Sequence, residues 1–204
     1  MRLAWLPLLA VAYLVGSIPT GLWLGRLVAG KDVRSEGSHR SGATNVQRVL
    51  GTWAGVTVAT VDTLKGTAAV LLVEAVTHDP YFAAVAGVVS VVGHIWTVFG
   101  GFEGGRGVAT TAGAVLALAP VVFFCAFLVM AAVVLGSRYM SLGSIAAAYA
   151  LAPLAAIWLG HGPESDAVLI VGVLAGGLVA LKHADNVERL LHGRERRFTL
   201  ARSR

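Results

Sequence analysis

The chain has 204 residues, of which 56% are hydrophobic and 13% charged, with a formal net charge of +5. Soluble domains carry roughly 25% charge, so this composition excludes a disordered tail, a disulfide-rich secreted domain and an ordinary soluble enzyme. The single cysteine, Cys125, lies in an apolar run and has no partner for an internal disulfide. Lipid is the solvent such a chain requires. At about 20 residues per span, the length allows roughly five to eight crossings and little else. One integral-membrane domain, residues 1–204, is therefore expected.

In chain order, residues 3–28 form the first apolar run. It is long for a signal sequence and lacks a basic leader beyond Arg2, so a retained span is expected. Gly16-Ser17-Ile18-Pro19-Thr20-Gly21 should break or kink it. Residues 26–48 are a polar, glycine- and serine-rich loop of the kind that carries function. Residues 49–77 are apolar apart from Asp62, Lys65 and Glu74. After a neutral turn at 77–80, residues 81–99 form another span with His94 near its end. Residues 100–107 are a glycine-rich loop. Residues 108–135 are continuously apolar around Pro120, and 136–141 are a short loop with Arg138. Residues 142–160 are apolar, 161–166 are an acidic turn, 167–181 are apolar again, and 182–204 are a basic tail.

Lysine and arginine mark the cytoplasmic side of a membrane protein. The loop at 26–48 and the tail at 182–204 are rich in them, and the loops at 100–107 and 136–141 each carry an arginine. The turns at 77–80 and 161–166 carry neither residue. Six simple spans violate this parity, because 108–135 would begin and end on one side. Two short helices turning near Pro120, crossing fully or as a re-entrant hairpin, restore it. The expectation is an all-α polytopic membrane protein with seven transmembrane helices, two of them short, the N-terminus outside and the C-terminus cytoplasmic.

All the informative polar segments then face the cytoplasm. Gly104-Gly105-Arg106-Gly107, followed at once by an apolar helix, could cradle a phosphate with backbone N–H groups, a helix N-terminus and an arginine fork. A flexible turn with an anchoring arginine explains the same residues. In Gly42-Ala43-Thr44-Asn45, Thr44 or Asn45 could cap a helix, with Arg48 one turn on. Asp62 and Lys65, three apart, share a helical face and read either as a structural ion pair or as support for a site. Ser141 with Ser144, and His183 with Asn186 and Arg189, repeat that spacing. There is no cysteine pair, no HExxH and no readable Ser-His-Asp set, so no metal or cofactor is expected. The short tail has few aromatic residues and abuts a membrane, so anionic lipid rather than nucleic acid is its expected partner.

Taken together and in order, these segments resemble the bacterial acyl-phosphate:glycerol-3-phosphate acyltransferases, the PlsY family. Gly16–Gly21 resembles the family's GSIPxG. Gly37-Ser38, Gly42–Asn45, Arg48 and Gly51 resemble its first motif, and Asp62–Gly66 its DxxKG. Gly93-His94 through Gly107 resembles the second motif, Ser141–Ser144 the SLxS segment, and His183, Asn186, Arg189, Gly193 and Glu195 the third. Three positions depart from the pattern. Arg40 replaces the usual asparagine, Arg106 a lysine and Thr97 a proline. Arg106 keeps the charge and gains a bidentate fork, while Thr97 gives up a fixed φ and should loosen the glycine loop.

The resemblance implies a bacterial inner-membrane enzyme of phospholipid synthesis with its active site facing the cytoplasm. It implies transfer of a fatty acyl group from acyl-phosphate to the 1-hydroxyl of glycerol 3-phosphate, giving lysophosphatidate and phosphate. The glycine loop (Gly104, Gly105, Arg106, Gly107), with Lys65 behind it and His94 beside it, would hold glycerol 3-phosphate. Ser38, Thr44, Asn45 and Arg48 would hold the acyl-phosphate head. His183 and Asn186 would orient the attacking hydroxyl near Ser141, and Glu195 would fix a cationic group. Either His183 or the leaving phosphate would accept the proton. A transporter for a phosphorylated metabolite is the rival reading, but the polar groups cluster at one face and no internal repeat is visible. A catalytically dead scaffold would not need the third motif.

Overall fold

The computed structural model describes residues 3–199, and every regular element in that stretch is helical. The first apolar run divides into α1 (Leu6–Gly16) and α2 (Thr20–Ala29). Proline at 19 supplies no N–H, so the helix stops where the motif predicts. In lipid the carbonyls freed by the break need donors. Lys65 Nζ donates to the Ile18 carbonyl at 2.9 Å, and the Thr97 hydroxyl donates to the Ser17 carbonyl. Gly16 makes this approach possible, since a Cβ there would lie 2.0 Å from the Ser90 carbonyl oxygen.

A short surface helix, α3 (Ala43–Leu50), follows the first loop. Gly51, at φ +97°, turns the chain into α4 (Thr52–Thr77), the longest helix at 26 residues. Helix α5 (Pro80–Ile95) starts with proline, and the Asp79 carboxylate caps it through the N–H groups of Tyr81 and Phe82. The run at 108–135 separates into α6 (Val108–Leu118) and α7 (Pro120–Ser137), with Ala119 extended between them. Helices α8 (Met140–Leu159) and α9 (Pro163–Leu181) complete the bundle, and α10 (Ala184–Leu191) follows His183. The acidic turn expected at 161–166 largely belongs to α9. Glu164 and Asp166 occupy its first turn, where carboxylates complement the helix dipole.

Among the described residues, six segments are long and apolar enough to cross a membrane, counting α1 and α2 as one, and α6 is a shorter apolar helix. Large apolar side chains such as Phe124, Leu128, Leu135, Ile157 and Val173 point outward. The interior is built from small residues instead, with alanine and valine dominating a core shared by α1, α4, α5, α6 and α9. Lipid tails are as apolar as leucine, so such bundles gain by close backbone packing. Helices α4 and α6 show this directly. A Cβ on Gly66 would lie 2.1 Å from the Thr110 carbonyl oxygen, and one on Gly113 would lie 1.9 Å from that of Thr63. Thr67 also donates to the Gly113 carbonyl across the pair at 2.9 Å.

Candidate active site

One large cavity of about 430 Å³ opens between the first loop, α3, α4, α6, α7, α8 and the chain around α10. Its polar lining comprises Ser38, Arg40, Thr44, Asn45, Arg48, Asp62, His94, Arg106, Ser141, His183, Asn186 and Glu195, with Gly107 among them. Its apolar lining includes Val56, Phe123, Phe127 and Met130. Segments more than 150 residues apart in sequence thus meet around one space. Lys65, Gly104 and Gly105 were expected at the site but do not line the cavity.

The third motif builds a fixed polar wall. Glu195 Oε1 accepts hydrogen bonds from Ser141 Oγ at 2.9 Å and Asn186 Nδ2 at 2.7 Å, and Oε2 accepts from Arg189 Nε at 2.8 Å. Burial alone would raise the Glu195 pKa, but these donors more than offset it and hold it below the ordinary glutamate range. Asn186 Oδ1 is buried and has no hydrogen-bond partner among the described residues. An orphaned acceptor in a cavity is available to a substrate hydroxyl.

His183 is 3% exposed, and its Nδ1 lies 2.7 Å from the Val179 carbonyl oxygen. A carbonyl only accepts, so Nδ1 carries the hydrogen and Nε2 keeps its lone pair. Burial, with the charge of Arg106 adding to it, pushes the His183 pKa down to about 4. The ring is therefore neutral at physiological pH, and Nε2 is an acceptor.

Arg106 is aimed from behind. Its Nε donates to the Lys182 carbonyl at 3.0 Å and its terminal nitrogen to Asp185 Oδ2 at 2.8 Å. The same Asp185 oxygen accepts from Arg189 at 3.1 Å. Asp185 joins the glycine loop to the third motif, a role that reading the sequence missed. Its position between His183 and Asn186 and its i,i+4 spacing to Arg189 were the available signals.

Four expectations need correction, the last of them at Thr97. The glycines at 104 and 105 do not present free N–H groups, which donate instead to the carbonyls of Ile95 and His94. These residues are glycine because the chain packs tightly on His94. A Cβ at 105 would lie 2.2 Å from His94 Nε2, and one at 104 would lie 1.9 Å from the His94 carbonyl oxygen. The first turn of α6 borders the cavity through Gly107, Val108 and Ala109, and its start at Gly107 (φ +86°) carries no side-chain cap. Asn45 neither caps α3, which begins one residue after Gly42, nor is free for a ligand. Its Oδ1 accepts from the Ser38 N–H at 2.7 Å. Its Nδ2 faces the carbonyls of Val33, Glu36 and Arg40 within 3.1 Å, so it staples the first loop. Lys65 is committed to Asp62, 2.8 Å away, and to Ile18. Asp62 in turn accepts from Thr20 at 3.1 Å and faces His94 Nδ1 at 3.8 Å.

Arg34, which no motif above singled out, ties the first loop to the glycine loop. It holds Asp32 with two nitrogens and reaches the carbonyls of Gly100 at 2.6 Å and Glu103 at 3.2 Å. The Arg34 guanidinium holds the Asp32 pKa down at about 2. Thr97 does not loosen the loop. Its φ of −69° is one that proline would impose, and its hydroxyl anchors the α1–α2 break.

Charge around the cavity is unbalanced. Arg48 has no side-chain hydrogen bond or ion pair among the described residues, and nor does Arg40. Desolvation lowers the Arg48 pKa, and nearby Arg196, Arg106 and Arg189 lower it further against Glu195. Such crowding is relieved when an anion enters.

Residues 6–193 match the family profile "Glycerol-3-phosphate acyltransferase". A protein of Moorella thermoacetica named glycerol-3-phosphate acyltransferase 2 is 49% identical over 194 residues, covering 95% of this chain and 97% of that one. The corresponding protein of Trichlorobacter lovleyi is 45% identical over 190 residues, covering 93% and 95%. A crystal structure of PlsY, an integral membrane glycerol 3-phosphate acyltransferase in its glycerol 3-phosphate form, superposes with a TM-score of 0.88 at 40% identity, covering 96% of each chain. The form with lysophosphatidic acid gives 0.83 at 38% identity, covering 97% of this chain and 96% of that one. The chain belongs to the glycerol-3-phosphate acyltransferase family.

Proposed function

We propose that the cavity holds glycerol 3-phosphate and a fatty acyl-phosphate side by side and transfers the acyl group between them. The family fixes the acceptor and the product class: the chain is an integral-membrane glycerol-3-phosphate acyltransferase, and it produces lysophosphatidate. The carrying observation for the donor is the composition of the cavity wall. Its lining combines Arg40, Arg48 and Arg106 with Phe123, Phe127 and Met130. An acyl-phosphate has an anionic head and a greasy tail, and glycerol 3-phosphate is a compact dianion. One cationic and apolar space accommodates both.

The acceptor phosphate sits at the glycine-loop end, on Arg106 and the N-terminus of α6. The donor head sits on Ser38, Thr44 and Arg48. The 1-hydroxyl donates its hydrogen bond to His183 Nε2 or Asn186 Oδ1, placed by the Glu195 network. Its oxygen attacks the acyl carbonyl carbon, the carbon–oxygen bond to phosphate breaks, and phosphate departs with the electron pair. An acyl-phosphate is a mixed anhydride, so no covalent enzyme intermediate is needed, and holding the reactants in attack geometry supplies much of the acceleration. A histidine with a pKa of about 4 is a weaker base than a phosphate oxygen, whose second pKa is about 6. The departing phosphate therefore takes the hydroxyl proton, and His183 is the orienting acceptor.

The same reading sets the topology. The basic segments and the cavity mouth face the cytoplasm. Helix α6, at 11 residues, spans about 16 Å and starts at the cavity floor, so it pairs with α7 as the short, seventh member of the bundle. Membrane lipid surrounds the exposed apolar side chains, and nucleic acid has no part.

The test is direct. Purified protein receives acyl-phosphate alone, glycerol 3-phosphate alone, or both, and released phosphate and lysophosphatidate are measured. Release in equal amounts only when both are present is expected. Phosphate release from acyl-phosphate alone at the same rate would make the protein a hydrolase instead.

A further inference from the structure

We propose that Arg40 binds the phosphate of glycerol 3-phosphate, completing with Arg106 a cationic pocket at the glycine-loop side of the cavity. This rests on the reading of the cavity given above and extends it to a residue that stands where the family resemblance leads one to expect asparagine.

Arg40 lines the cavity together with Arg106 and Gly107. Its backbone is fixed, because its carbonyl accepts from Asn45 Nδ2 at 2.9 Å. The first loop touches the glycine loop here, with a Cβ on Gly42 falling 3.8 Å from Gly105 Cα. The guanidinium itself is half-buried and has no hydrogen bond or ion pair among the described residues. Side chains of this kind usually find a carboxylate, and none is provided.

The neighbours sharpen the point. Lys182 is held over the Trp96 ring at 4.4 Å, immediately beside the carbonyl that anchors Arg106. Both Lys182 and Arg106 are held below their usual pKa, chiefly by burial and in part by the charge of Arg40. The nearest acid, Asp185, is already shared between Arg106 and Arg189. Arg40 thus repels both Arg106 and Lys182 while the one acid beside them is already shared, an arrangement that a phosphate dianion stabilises and an empty site does not.

The test compares steady-state kinetics of wild type, Arg40→Gln, Arg40→Lys and Arg106→Ala, together with thermal melting. Arg40→Gln should raise the KM for glycerol 3-phosphate about tenfold at low ionic strength. The gap should shrink as salt is added. The KM for acyl-phosphate, kcat and the melting temperature should stay near wild type, and Arg40→Lys should restore most of the loss. An unchanged glycerol 3-phosphate KM in Arg40→Gln overturns the proposal. So does a rise confined to the acyl-phosphate KM, or a fall in kcat accompanied by lower melting, which marks a structural role. Arg106→Ala separates the two levels of failure. If it raises the glycerol 3-phosphate KM while Arg40→Gln does not, only the assignment of Arg40 fails. If neither does, the reading of the cavity fails with it.

Discussion

Lys65 Nζ lies 2.9 Å from the carbonyl oxygen of Ile18, reaching from the middle of α4 to the break between α1 and α2. The same ammonium is 2.8 Å from Asp62, and both side chains are less than 5% exposed. One lysine thus satisfies a carbonyl that lipid cannot and balances a buried carboxylate. Asp62 in turn faces His94, on which the glycine loop packs. Replacing Lys65 by methionine keeps the volume but leaves Asp62 charged and unpaired, which should cost about 3–5 kcal/mol. A large fall in melting temperature in detergent is expected. The double variant Lys65→Met with Asp62→Asn should recover part of it, because no unpaired charge remains. Equal melting of the single and double variants would show that the ion pair is not the cause.

The proton acceptor can be decided by pH. His183, with a pKa of about 4, is neutral throughout the range above pH 6. Activity should be flat from about pH 7 to 8 and fall through about pH 6, where the substrate phosphates gain a proton. His183→Gln should lower kcat by about 10²-fold, the scale of misplacing a reacting group, but keep the same acid limb. If the limb moves or disappears in the variant, His183 is the base. Stability has its own sign. The folded ring resists protonation that the unfolded ring accepts below pH 6.5, so His183 makes folding less favourable as pH falls from 6.5 toward 4.

Much of this was legible in the sequence because lipid makes strict demands. Apolar runs gave the helices, and Pro19 and Pro120 gave the breaks at the right places. The ordered motifs gave Arg48, Arg106, Ser141, His183, Asn186 and Glu195, all of which line the cavity. What stayed hidden depended on which partner each polar group chose. Asn45 has the chemistry of a ligand-binding amide, yet its atoms close a loop on four backbone groups. Gly104 and Gly105 fit a phosphate loop equally well by composition, and only the position of His94 shows that they serve packing. Asp185 and Arg34 act across more than 60 residues of sequence, on elements whose contact no local pattern reveals.

Glu195 organises three other side chains, so its variants should fall in a defined order. Glu195→Gln keeps an acceptor for Ser141 and Asn186 but loses the charge opposite Arg189. It should cost about tenfold in kcat. Glu195→Ala leaves the Ser141 hydroxyl and the Asn186 amide without their partner, leaves Arg189 only Asp185, and should cost more. The tail should also loosen, since the Glu195 contacts, together with the hydrogen bond from the Phe198 N–H to the Arg138 carbonyl at 2.6 Å, return it to the bundle. Limited trypsin digestion at Arg194, Arg196 and Arg197 should be faster in Glu195→Ala than in wild type. Unchanged cleavage alongside lost activity would confine Glu195 to the wall of the cavity.

The glycine loop yields the sharpest steric test. Alanine at 104 places a Cβ 1.9 Å from the His94 carbonyl oxygen, a backbone atom that moves only with α5. Alanine at 105 places one 2.2 Å from His94 Nε2, the end of a ring that can turn, although the residue is only 6% exposed. Both should destabilise by about 1–3 kcal/mol or more, with Gly104→Ala the worse. Both should also raise the KM for glycerol 3-phosphate by displacing Arg106. Gly136→Ala is the control. It lies in α7, a Cβ there meets nothing within 4 Å, and it should be neutral or slightly stabilising. Trimming the obstacle should rescue selectively. His94→Ala combined with Gly105→Ala should melt higher than Gly105→Ala alone, while the same change should do nothing for Gly104→Ala, whose clash is with main chain. Rescue of both, or of neither, would mean that the glycines are needed for backbone freedom and not for the approach to His94.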